Sequence, residues 1–398
     1  MTRVRSAALV IALNAVLLLV VLGLVELGLS WYEVPASVRY SVYPPNQITT
    51  VKVDPRVTPG VRDDAVYEVN ALGTRGPLPS PDDDLRIVAL GGSTTECFVL
   101  SLEESWPYRV GQLLEASTGK RVWVGNIARA GRQSRQHYFD AKYVVPELPR
   151  TQVALLMIGI NDQFNRMVQG DAFETQDVLA LDGGSDLAAE LNVGEAQGGW
   201  LAQRHLVRRG RLLLEWLKLL SPREREVRRL LSHTLPDFYV NGRAMRAARD
   251  VTKETLPPMQ EPIAEFRRNL ALIIALLRQH GTEPVLITQP SMWRDDLTAE
   301  EDGLLWLGSA DGWPPRNDPG PYYSVHAMAA MLRLYNDALR GIAKDEGLLL
   351  IDLAGLVPSD TTALYDDVHF NEAGAERAAR LVADALRDGP AGRILGLP

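Results

Sequence analysis

From residue 85 onward, short apolar runs alternate with longer amphipathic ones, and this rhythm predicts the fold. Arg86–Leu90, Val122–Ile127, Val153–Ile158, Pro284–Thr288 and Leu348–Leu353 have the length of strands and are apolar on both faces. Between or after them, apolar positions recur at helical spacing over Glu104–Glu115, Ser134–Val145, Ile263–His280, Val325–Glu346 and Glu372–Arg387. Strands alternating with helices predict a parallel sheet covered on both faces and joined by right-handed crossovers. Residues 163–260 break the rhythm as an insertion. A polar stretch, Gln169–Gly199, is followed by a basic, leucine-rich one, Trp200–Leu235, carrying Arg204, Arg208, Arg209 and Arg211 among others. The second stretch fits either a helical cap over the sheet edge or an amphipathic helix on an anionic membrane surface. A further interruption, Ser291–Tyr323, holds Trp293, Trp306 and Trp313 and predicts a wall of a pocket.

The N-terminal pattern is different. Ala7 to Leu29 is almost wholly apolar and follows Arg3 and Arg5. As a helix it would rise roughly 34 Å, enough to span a bilayer core. The run is long for a cleavable signal and predicts a signal anchor, with residues 1–6 as a cytoplasmic tail and the rest outside the membrane. Residues 30–80, with Pro35, Pro44, Pro45, Pro55 and Pro59, predict a stalk and lead-in without long helices. The expected globular domain is 81–390.

Composition changes this picture little. The 398 residues are 46% hydrophobic and 23% charged, enough for a large core. The net charge of -8 argues against nucleic acid as a partner. The one cysteine, Cys97, excludes an intrachain disulfide and reads as a packing residue. No histidine pair has metal-ligand spacing, so neither a metal nor another cofactor is expected.

Four segments at predicted strand ends carry candidate chemistry. Gly91-Gly92-Ser93-Thr94-Thr95 is a tight turn after the first strand and would expose the Ser93 hydroxyl beside unpaired helix N–H groups. It lacks the lysine of a phosphate-binding P-loop. Gly131, after the second strand, fits either a backbone donor to an oxyanion or a plain strand-to-helix turn. Asn161, in Gly159-Ile160-Asn161-Asp162 after the third strand, fits an oxyanion donor or a helix cap. Asp366-Asp367-Val368-His369 puts a carboxylate three residues before an imidazole, with Asp366 to orient His369 and Asp367 as the neighbouring competitor. His137 is a candidate to line the pocket, and His205, His233, His280 and His326 read as surface or helix residues.

Taken in order, Ser93, Gly131, Asn161 and His369 resemble the four blocks of the SGNH (GDSL-type) hydrolase superfamily, over about residues 69–390. The first block departs from the Gly-Asp-Ser form, having Gly91-Gly92-Ser93. Asn70-Ala71-Leu72-Gly73-Thr74-Arg75-Gly76 resembles the lead-in of membrane-anchored bacterial members. The resemblance implies a flavodoxin-like three-layer αβα sandwich with a five-stranded parallel sheet, preceded here by the transmembrane helix and interrupted by the helical insertion. It implies a Ser93-His369-Asp366 triad with an oxyanion hole from Ser93, Gly131 and Asn161. The expected activity is hydrolysis of O-acyl esters, acetyl foremost, on a cell-envelope glycan or lipid. An O-acyltransferase with a membrane-bound partner and a silent SGNH-fold binding protein are the alternatives.

Overall fold

A computed structural model describes residues 13, 14, 16–18, 20–25, 38–181, 191–193, 235–313 and 320–389. Five parallel strands form the central sheet: β1 (Leu85–Gly91), β2 (Val122–Asn126), β3 (Val153–Met157), β4 (Glu283–Ile287) and β5 (Leu349–Ile351). Their order is β5-β4-β3-β1-β2. Ile87 lies between Val124 and Val153, and Leu155 pairs with Val285. Every residue of β3 is buried, as a strand covered on both faces must be.

The covering helices are α1 (Trp106–Thr118), α2 (Ser134–Phe139), α3 (Ile160–Gln169), α4 (Leu235–Ala247), α5 (Gln260–Gln279), α6 (Val325–Glu346) and α7 (Glu372–Asp388). α1 packs on α7, and α5 packs on α2, α3 and α6. Trp106, Val110 and Leu114 form the buried stripe of α1, one residue per turn. Ser324 caps α6 by accepting from the Ala327 N–H, and Asn371 caps α7 by accepting from the Gly374 N–H.

The sheet order reverses at β1: the chain goes to one side for β2 and to the other for β3. Open α/β sheets bind ligands outside the strand ends at such a reversal. Ser93, Gly131 and Asn161 follow β1, β2 and β3, so all three lie just beyond the strand ends at that crevice, Ser93 and Asn161 in the first turn of a helix and Gly131 in a turn.

The segment expected as stalk and lead-in contributes to the core. Gln47–Val51 and Ala65–Val69 form an antiparallel hairpin, and Val42, Val51 and Ala65 are fully buried. Arg75 exchanges both backbone hydrogen bonds with Asn126 on edge strand β2, at 2.8 and 3.1 Å.

The membrane expectation is corrected. Within 7–29 the described residues are helical at 13, 14, 16–18 and 20–25. Among the described residues no helix is long and apolar enough to cross a membrane. The single-pass anchor, the cell-membrane location, the extracytoplasmic placement and the membrane partnership through 7–29 are withdrawn. The envelope location of the substrate and the membrane-bound partner rested on that anchor and fall with it. The basic stretch 200–234 lies outside the described residues.

Candidate active site

The residue after β1 is forced to be small. A Cβ on Gly92 would lie 2.2 Å from the Asn161 side-chain nitrogen, so only glycine lets the two loops meet. Ser93 then opens a single helical turn, Ser93–Glu96, that ends on Cys97 at φ +54°. Its N–H is one of the donors that a helix start leaves without an intrahelical partner. Cys97 is buried, and burial pushes its thiol up to about 11, which leaves a packing residue and no nucleophile.

Across the crevice, Asp366 and His369 form a self-contained turn. Asp366 Oδ1 accepts from the backbone N–H groups of Val368 at 3.0 Å and His369 at 2.9 Å. This local bonding swings the carboxylate under the imidazole, which is why three residues of separation suffice. His369 Nδ1 lies 2.8 Å from Asp366 Oδ2. His369 Nε2 lies 2.7 Å from Ser93 Oγ. The Tyr365 ring stacks on the imidazole at 5.5 Å, with 11° between planes. Serine, histidine and aspartate thus meet although 276 positions separate Ser93 from His369.

Asp367 faces away. It accepts from the Trp293 indole at 2.8 Å and from the backbone N–H groups of Trp306 and Leu307 at 2.8 and 3.2 Å. Burial and the adjacent Asp366 charge raise its carboxyl above the ordinary range. Burial works against ionised Asp366 too, yet the neighbouring His369 and its hydrogen bonds outweigh it and hold the carboxyl below its usual value. For His369, burial disfavours the imidazolium, but the Asp366 charge and hydrogen bond, with Asp367 and Glu96, leave its pKa raised above 6.5. A general base must be neutral to accept a proton, so with His369 in that role activity is expected to be lost as pH falls through that raised value. The acid limb of kcat/KM is expected to have its midpoint above 6.5; a midpoint well below it, measured from pH 5 to 9, contradicts this electrostatic balance.

Gly131 adopts φ +80°, a conformation that side chains with a Cβ rarely take, and it borders the same cavity as Ser93. Asn161 borders that cavity as well and donates from Nδ2 to the Arg132 carbonyl at 2.9 Å. That bond ties the two loops and leaves the second N–H of the amide to point elsewhere. Asp162, the next residue, accepts from the Ser134 N–H at 3.0 Å and from its hydroxyl at 2.5 Å, and so fastens the start of α2. Burial raises the Asp162 carboxyl to about 7.

The cavity measures about 570 Å³. Phe164, Phe238, Tyr239, Trp306 and Trp313 line one part of it, and Tyr43, Gln47, Thr49 and Arg129 another. α4, from the insertion, thus contributes wall residues. Trp306 and Trp313 take the expected wall position, whereas Trp293 is turned to Asp367. His137 is fully buried, pairs with Asp140 at 3.1 Å and does not border the cavity. His280 is exposed and His326 pairs with Asp295; His205 and His233 lie outside the described residues. Among the described residues no cluster of His, Cys, Asp and Glu is arranged to hold a metal ion.

Two residues that support the site were given no role by the sequence, Glu96 and, within the lead-in segment, Arg75. Glu96 is buried, hydrogen-bonds the Tyr43 hydroxyl and accepts from the Ala130 N–H at 2.7 Å, which joins the serine turn to the Gly131 loop. Arg75, 1% exposed, donates to the carbonyls of Glu96, Cys97 and Leu100, the last carbonyls of the serine turn and its exit. The Tyr67 ring covers its guanidinium at 4.6 Å.

By sequence, residues 89–377 match the GDSL-like Lipase/Acylhydrolase family. Comparison with individual curated proteins gives no match. Similar solved structures include an α/β hydrolase enzyme from the metagenome of Lake Arreo, Spain, at 14% identity and TM-score 0.39, covering 79% of this chain and 96% of that one. They also include a GDSL-like lipase from Bacteroides thetaiotaomicron, at 12% identity and TM-score 0.36, covering 79% and 92%. An acetylxylan esterase from Geobacillus stearothermophilus is similar at 13% identity and TM-score 0.39, covering 79% and 96%. The family match runs from within β1 to beyond His369, well over half of the chain, and takes in the serine and histidine whose side chains meet: this protein belongs to the GDSL-like lipase/acylhydrolase family and is a serine hydrolase.

Proposed function

We propose that the protein is a serine esterase that cleaves an O-acyl ester of a glycan or lipid through Ser93, His369 and Asp366. The observation that carries this reading is the 2.7 Å contact between Ser93 Oγ and His369 Nε2 at the edge of the aromatic-walled cavity. Ser93 Oγ attacks the ester carbonyl carbon as His369 Nε2 takes its proton. The Ser93 and Gly131 N–H groups and the free N–H of Asn161 receive the charge that develops on the carbonyl oxygen. The ester C–O bond then breaks, and the imidazolium returns the proton to the departing alcohol. A water molecule repeats the attack on the acyl-serine, and acid and free Ser93 are released. Asp366 stays ionised throughout and balances the imidazolium. The aromatic rings supply flat apolar faces that suit an acyl chain or the C–H face of a sugar equally. The hydrolase unit on this reading is 81–390 with 163–260 inserted, and the hairpin at 47–69 and Arg75 pack onto it from the lead-in.

The reading is tested with p-nitrophenyl esters and a fluorophosphonate probe. Turnover of the esters and covalent labelling of Ser93 are expected; folded protein that does neither overturns it. Asn161→Ala is expected to lower kcat about 100- to 1000-fold with little change in KM, the usual cost of one oxyanion donor. A loss under tenfold would remove Asn161 from that role. A panel of acyl lengths and acylated sugars then separates lipid from glycan.

A further inference from the structure

Asp366 is completely buried, and its two oxygens are supported from different places. Oδ1 is held by N–H groups of its own turn, a feature that any Asp-x-x-His turn can supply. Oδ2, the oxygen 2.8 Å from His369 Nδ1, also accepts from the Trp306 indole Nε1 at 3.0 Å. That donor comes from 60 positions away, in the loop between β4 and α6. Its place is fixed twice. The backbone N–H of Trp306 is held by Asp367 Oδ2 at 2.8 Å. The indole ring is wedged among Phe238, Tyr239 and Trp313, with centroids 5.0, 5.9 and 5.0 Å away. The same ring borders the cavity.

We propose that Trp306 is a positioning residue for the reaction: the ring that walls the substrate cavity also holds Asp366 Oδ2 in the orientation His369 requires. This rests on the triad reading above. An indole N–H donates only, so it can pair with the carboxylate and cannot compete with Nδ1 for the role of proton carrier. A carboxylate with one oxygen tethered outside its turn resists rotation about the bond that carries it. Because Asp367 anchors the Trp306 backbone while Asp366 takes its side chain, the two adjacent acids have separate tasks. Other groups that face this pair are Glu96, Tyr239, Tyr365 and Arg243, whose Nη2 lies 3.4 Å from the Tyr365 carbonyl.

Trp306→Phe keeps an aromatic wall and deletes the donor. It is expected to lower kcat about tenfold, in line with losing one hydrogen bond to a charged group, and to leave KM within about twofold. With less of its charge neutralised, Asp366 favours the imidazolium more, so the acid limb of kcat/KM moves to higher pH. A raised KM with the wild-type kcat and acid limb would make Trp306 a wall residue only and overturn the proposal. Ser93→Ala is measured alongside: its inactivity with an unaltered Trp306→Phe discards the positioning role alone, and its activity discards the triad. Should Trp306→Phe fail to fold, indole-labelled wild-type protein gives a second readout by NMR. One of the 8 tryptophan N–H resonances is expected to shift as His369 titrates and again when Ser93 is phosphonylated. Indifference of all of them overturns the proposal.

Discussion

Ser93→Ala is expected to lower kcat/KM for a p-nitrophenyl ester by about 10⁴-fold or more, the scale seen when a serine nucleophile is removed from an acyl-transfer site. The change takes away one oxygen, and with it the atom that forms the acyl bond in the proposed mechanism. Little else depends on it: the hydroxyl contact is with His369 Nε2, while the Ser93 carbonyl goes on accepting from Cys97 N–H at 3.0 Å and the turn remains closed. The melting temperature should therefore stay close to that of the parent protein, which distinguishes loss of chemistry from loss of fold. Steady-state turnover and fluorophosphonate labelling measure the effect. Activity within tenfold of the parent would remove Ser93 from the mechanism.

Asp366→Asn is expected to cost about 10⁴-fold in kcat, for a different reason. The carboxylate accepts on both oxygens: Oδ1 from two backbone N–H groups and Oδ2 from the Trp306 indole, with His369 Nδ1 2.9 Å from the first and 2.8 Å from the second. Asn can present its oxygen to only one of these sides. With oxygen toward the backbone donors, its NH₂ takes the place of Oδ2, 2.8 Å from Nδ1 and 3.0 Å from the Trp306 indole N–H; the indole loses its acceptor and Nδ1 is favoured as an acceptor of the new donor. The proton then sits on Nε2, and Nε2 can no longer take one from Ser93. With oxygen toward His369, two buried backbone N–H groups lose their partner, at about 1–3 kcal/mol each. Both arrangements cost, and the first stops the reaction. kcat should fall while KM holds. A loss below tenfold would show that His369 needs no carboxylate behind it.

Much of the site was legible because its chemistry lies in short segments. Ser93, Gly131 and Asn161 each follow a strand directly, and a parallel sheet delivers the ends of neighbouring strands to one edge whatever lies between them. Asp366 and His369 could be paired from sequence because their bond closes within one turn. Trp306 could be assigned to a pocket wall from its setting, but its bond to Asp366 crosses 60 positions and has no periodicity to betray it. Arg75 stood out only as part of the lead-in segment 70–76; its bonds to the carbonyls of Glu96, Cys97 and Leu100 cross 21 to 25 positions and have no periodicity either. The apolar run 7–29 misled in the other direction. Hydropathy alone reads length and composition, and among the described residues no helix of spanning length forms.

The position of Arg75 bears on where the molecule can be cut. The family match begins at residue 89, fourteen positions after it. A fragment trimmed to the matched span would keep Ser93 and His369, lose residues 85–88 of β1 and strand three buried carbonyls at the exit of the serine turn. Expression boundaries for this enzyme are expected to belong upstream of the hairpin at 47–69, because the hairpin and Arg75 pack into the fold outside the region that identifies the chain.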